Sequence, residues 1–140
     1  MKEQSKSGGK ETRDSTEQLK ILHFDDGKKV DLGSGSFSNL ILTSSNLEGK
    51  NSNMMGYSVF RPGTDTKQKI HLKAEELAYV LSGSGKVTVG GRAFQFQKGD
   101  SIFIPAGVPH GVKNDGTEDV AMVFFFSSPE YPKTVDSNVD

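Results

Sequence analysis

No cysteine and no tryptophan occur among the 140 residues. The first absence removes disulfides and thiolate metal sites together, so any bound metal must be held by imidazole, carboxylate or carbonyl groups. An excess of charge is missing too. With 17 basic and 18 acidic side chains the net charge is −1, which gives no overall electrostatic attraction to nucleic acid or to an anionic membrane. No apolar run approaches the roughly 20 residues of a membrane helix, and the N-terminus lacks the apolar stretch of a secretory signal. The expectation is a soluble, cytoplasmic protein with neither nucleic acid nor membrane as partner. Sustained helical periodicity is absent as well.

What is present is enough for one core: 33% apolar and 9% aromatic residues in a chain of single-domain length. Residues 1–18 carry no apolar side chain beyond Met1, so they cannot offset the entropy of ordering and are expected to form a disordered lead. The domain is expected over 19–127, and residues 128–140, with two prolines and a polar end, form a loosely ordered tail lying over the domain or touching a partner. Ten short apolar or alternating segments follow one another between Gly, Asn, Asp and Pro clusters, from 19–24 through 37–43 and 54–60 to 119–126. Val89-Gly90-Gly91-Arg92 reads as a two-residue type I′ hairpin turn, with positive φ at both glycines. The Gly-Ser repeats at 33–36 and 82–85 are turn glycines, since no helix follows to bind an anion. The fold class is therefore all-β, an antiparallel sandwich or barrel.

One segment concentrates chemistry. If 67–73 is a strand, Lys67, Lys69, His71 and Lys73 share one face, while Gln68, Ile70 and Leu72 form a greasy opposite face. A polar face turned inward in a small barrel lines a ligand cavity; turned outward it is ordinary surface.

Two spaced patterns narrow the choice. Gly63-x5-Lys69-x-His71-x4-Glu76-x6-Gly83 resembles the first cupin motif with lysine in place of one histidine, and Gly99-x5-Pro105-x-Gly107-x2-His110-x3-Asn114 matches the second at every defined position. The resemblance implies a jelly-roll (double-stranded β-helix) barrel holding one divalent metal ion. Carried over by position, His71, Glu76 and His110 fall on ligand sites, and Lys69 falls on the site of the missing histidine. Glu75 is one position off and would face the other way. Two imidazoles and a carboxylate make the facial set that suits Fe(II), with Mn, Ni, Co or Zn also compatible. Lys69 cannot coordinate as an ammonium. Desolvation and a nearby dication would favour its neutral amine, leaving it a ligand or base; paired instead with Glu76, it would displace the metal.

Two functions follow as expectations. The first is a metal-dependent enzyme acting on a small, anionic or oxygenated metabolite, either an Fe(II)-type dioxygenase or a lyase or isomerase in which Lys69 or Glu76 moves the proton. Lys67 and Arg61, at the cavity edge, would contact the substrate. The alternative is a metal-free barrel that binds a sugar or metabolite without catalysis. A homodimer is expected from Ile70, Leu72 and the strand carrying Phe124 to Phe126, whose apolar groups occupy both faces.

Overall fold

The computed structural model describes residues 19–136. The expected lead, 1–18, lies outside the described residues, as does the end of the tail, 137–140. Eleven strands form β1 (Lys28–Gly33), β2 (Ser36–Leu42), β3 (Met54–Phe60), β4 (Lys69–Ile70), β5 (Glu76–Ser82), β6 (Ser84–Val89), β7 (Arg92–Gln97), β8 (Ser101–Ile104), β9 (Gly111–Lys113), β10 (Val120–Phe126) and β11 (Val135–Asp136). A 3₁₀ turn, Phe24–Asp26, and one helical turn, α1 (Ser44–Leu47), complete the described elements.

All strand pairs are antiparallel. One sheet has the order β1-β2-β3-β10-β5-β8; opposite it lie β7-β6-β9 and the pair β11-β4, joined by a bridge between Lys69 and His110. This two-sheet barrel is the jelly-roll architecture expected from the motifs. Alternation explains the layering. In β3 and β10 the even-numbered residues point inward, so Met54, Phe60, Met122, Phe124 and Phe126 form the core with Ala78, Val80, Val87 and Phe96. Burial of each large side chain contributes about 1.5–3 kcal/mol. The β10 strand is central, between β3 and β5, which accounts for the aromatic run: Phe124 and Phe126 face inward and Phe125 outward.

Several local expectations change. Residues 19–24 make no strand; the segment ends in the 3₁₀ turn capped by His23, and the neighbouring strand is instead the charged edge strand β1. Segment 67–73 pairs only at Lys69–Ile70, because Lys67 has φ +62 and breaks the extended run. The greasy face does not form: Gln68 is buried, Ile70 half-buried and Leu72 exposed. Gln68 clamps the β6–β7 turn, its amide donating to the Gly90 carbonyl at 2.6 Å and its oxygen accepting from Gly90 N–H at 3.0 Å. That turn joins Val89 to Arg92 as expected, but only Gly90, at φ +61, has positive φ, so the type I′ pattern is not met.

Candidate metal centre

The two motifs are zipped together by backbone hydrogen bonds. Lys69 N–H donates to the His110 carbonyl at 2.8 Å, His110 N–H donates to the Lys69 carbonyl at 3.0 Å, and Gly107 N–H donates to the His71 carbonyl at 2.8 Å. Directly opposed residues of an antiparallel bridge share a face, so Lys69 and His110 turn to the same side, as does His71, two residues on. Gly107 adopts φ +82 in the Pro105–Gly107 bend, a conformation costly for other residues. On the facing sheet, β5 begins with Glu76 pointing inward beside Ile104.

His71, Glu76 and His110 converge: one donor atom from each lies within 4.8 Å of the others. His110 Nε2 stands 3.1 Å from Glu76 Oε1, and its Nδ1 is 3.0 Å from the Val108 carbonyl. His71, 5% exposed, packs edge-on against Phe126 and Tyr131, with ring centroids 4.7 and 5.8 Å away. Burial pushes the His71 pKa down, and His110 adds to this against Glu76 and the Lys133 backbone. Burial also opposes charge on His110, but the Glu76 hydrogen bond, the Val108 carbonyl and the Glu76 charge outweigh it and raise the pKa. Burial, reinforced by Glu76, pushes the Tyr131 phenol up to about 12, so it remains a hydrogen-bond donor at neutral pH.

These residues fit a divalent metal. The buried Nδ1 of His71 has no hydrogen-bond partner among the described residues, and an orphaned imidazole nitrogen beside a carboxylate is a ready donor. The 3.1 Å between His110 Nε2 and Glu76 Oε1 is close to the separation of about 3 Å between neighbouring ligands on bonds of about 2.1 Å. The Val108 carbonyl can hold the His110 proton on Nδ1, presenting the Nε2 lone pair.

The cluster opens into a cavity of about 430 Å³ running along the barrel. Its walls are mostly apolar, among them Phe60, Ala78, Ile102, Met122 and Phe124, and both Lys69 and Lys67 line it. Lys67 is exposed and lies 3.9 Å from Asp65. The structure does not bring Arg61 to the cavity: its guanidinium reaches Asp119 at 3.6 Å and donates to the Gly35 carbonyl at 3.2 Å. Lys73 and Glu75 are exposed and lie outside the lining. Asn114 is fully buried and donates to the carbonyls of Phe60 and Glu118, organising the turn as expected. Sequence reasoning missed Tyr131, which reaches the metal end from a segment whose composition promised little; only its aromatic ring marked it out.

Fold and site together define a small antiparallel barrel with a cluster of two histidines and a glutamate, a donor set that could hold a metal ion, lining its cavity. The chain belongs to the cupin family, whose domain model matches residues 56–126. Among relatives, it is 34% identical over 92 residues to "Polyketide synthase CurC" of Streptomyces cyaneus, which spans 66% of this chain and 59% of that protein. The polyketide cyclase RemF of Streptomyces resistomycificus superposes with a TM-score of 0.71 at 21% identity, covering 87% of each chain. Bacillus subtilis oxalate decarboxylase, which has Mn(II) centres, superposes with a TM-score of 0.71 at 22% identity over 82% of this chain and 31% of its own. Among the described residues, no helix is long and apolar enough to cross a membrane.

Proposed function

We propose that the protein is a metal-dependent enzyme that binds a small oxygenated metabolite by an anionic oxygen, with His71, Glu76 and His110 holding Fe(II) or Mn(II). The observation that carries this reading is the convergence of the three donors, within 4.8 Å of one another, in the wall of a cavity lined mostly by apolar side chains. A divalent ion bound there supplies Lewis acidity to an oxygen next to the reacting carbon and, as Fe(II), open positions for dioxygen. The chain's own residues do the rest. Lys69 offers its side-chain nitrogen to a carboxylate or enolate oxygen, and Lys69 or Glu76 moves a proton at the adjacent carbon. Phe124, Phe126 and Ile104 keep water away, which strengthens each of those interactions. A cavity of about 430 Å³ with apolar walls suits a larger carbon skeleton, of the kind the polyketide names attach to two relatives, better than a small dicarboxylate.

A second reading, a metal-free barrel that binds without catalysis, draws on the hydrogen bond at 3.1 Å by which His110 and Glu76 satisfy one another directly. Metal analysis of the purified protein, combined with oxygen uptake and product detection over a panel of organic acids and phenols, separates the two. One ion per chain with turnover supports the enzyme; neither metal nor turnover supports the binding module.

The expected homodimer has a face to use. On the outside of the large sheet Phe125, Leu77 and Phe103 stand in register on β10, β5 and β8, exposed by 38%, 50% and 56%, with Tyr79 and Leu81 beside them. Two such rows packed sheet on sheet would cover one another.

A further inference from the structure

The cavity has a polar feature far from the metal end. Ser38 on β2 and Ser58 on β3 are direct cross-strand partners, 7% and 3% exposed, and both line the cavity. Their hydroxyls are 2.7 Å apart. A hydroxyl carries one proton, so the pair holds two and the mutual bond uses one. Among the described residues neither oxygen makes another hydrogen bond, which leaves one O–H to be satisfied from the cavity. The neighbouring Ser36 is different: it bonds Thr64 at 2.6 Å and accepts from Arg61 N–H at 2.7 Å, so structure alone accounts for it.

Register fixes where the pair stands. Glu76 is opposite Phe126, which is opposite Met54, so that row marks the metal end. Ser58 is four residues further along β3, about 13 Å at a rise of about 3.3 Å per residue. Between the two levels the inward residues of this sheet are apolar, Phe124, Ala78 and Ile102, and Met122 stands opposite Ser58 itself. Gly56 contributes to this surface by having no side chain, since a Cβ there would lie 2.3 Å from the Phe124 ring.

We propose that the Ser38–Ser58 pair is a second binding station, and that the substrate is an elongated fused-ring molecule with a chelating oxygen pair at one end and an acceptor oxygen at the other. The assignment rests on the metal-centre reading for one end of the ligand only. A short dicarboxylate would occupy the metal end and leave the apolar stretch and the serine proton to water. A ring system with oxygens at both ends satisfies both stations and the walls between them.

Three chelators of increasing reach test this on Mn(II)-loaded protein dialysed free of unbound ion: catechol, alizarin with an unsubstituted far ring, and quinalizarin with oxygens on that ring. Absorption titration follows the two dyes, and competition follows catechol. Quinalizarin is expected to bind most tightly, and the Ser38→Ala/Ser58→Ala double variant to lose up to about tenfold in affinity for it while keeping its affinity for catechol. Should the double variant fold poorly, the preference of the unaltered protein for quinalizarin over alizarin carries the same test, as does Ser38→Ala alone. Catechol binding with no preference for quinalizarin, or a double variant equal to its parent, overturns the second station and leaves the metal centre standing. Serine-dependent quinalizarin binding without any catechol binding supports the station and overturns the metal centre.

Discussion

Metal uptake should release a proton, and the structure says from which residue. The His110 pKa is raised above its ordinary 6.5: burial disfavours the charge, but the Glu76 hydrogen bond, the Val108 carbonyl and the Glu76 charge more than offset that. Only the neutral ring can offer the Nε2 lone pair, so below the raised value an incoming ion must displace one proton. The His71 pKa moves the other way, chiefly through burial, so that ring is already neutral above its ordinary 6.5 and contributes none. Between 6.5 and the raised His110 value, apparent affinity should fall about tenfold for each unit of pH lost, about 1.4 kcal/mol. Titration calorimetry with Mn(II) in buffers of different ionisation enthalpy counts the protons directly: about one per ion on the acid side of the His110 pKa, fading to none above it. Glu76→Gln removes the main raising influences and should shift that release to lower pH. Affinity independent of pH, or two protons released throughout, would refute the reasoning. The metal-free fold carries the same signs. The His110 contribution to stability is complete below 6.5 and is lost as pH rises through its folded value; that of His71 is complete above 6.5 and is lost as pH falls towards its folded value. These two groups together favour a stability maximum near 6.5.

Lys69→His should tighten metal retention by about tenfold through a further neutral ligand, and slow turnover if the amine takes part; retention and rate both unchanged would place the lysine head away from the ion. Gly83→Ala should cost at least about 2 kcal/mol in urea unfolding, because residue 83 has φ +82 and a Cβ there would lie 2.3 Å from the Asp119 carbonyl oxygen; a loss under about 0.5 kcal/mol would contradict that packing. Light scattering should give the mass of two chains, falling to one in Leu77→Asp; a single-chain mass for the unaltered protein would end the dimer proposal.

The site was more legible in the sequence than the strand map around it. Motif glycines 63, 83, 99 and 107 all adopt positive φ, so their spacing encodes backbone bends that bring His71 and His110 to one place. Hydrophobic pattern, by contrast, reports burial. It missed β1, whose residues are almost all exposed, and it read 19–24 as a strand although Leu19 and Ile21 lie on the surface. The same limit hid Gln68, where burial is satisfied by hydrogen bonds to Gly90. Arg61 was drawn to the cavity by its place before Pro62-Gly63, yet Asp119 and the Gly35 carbonyl, both distant in sequence, hold it elsewhere. Tyr131 and the Ser38–Ser58 pair depend on tertiary register that no local pattern carries.

The proposed chemistry depends on His71, Glu76 and His110 sharing one ion. Crystals soaked in Mn(II) and measured at a wavelength where manganese scatters anomalously test it most directly. A single peak per chain is expected, in bonding contact with all three side chains. A map showing the His110–Glu76 hydrogen bond intact and manganese only elsewhere on the surface would contradict it.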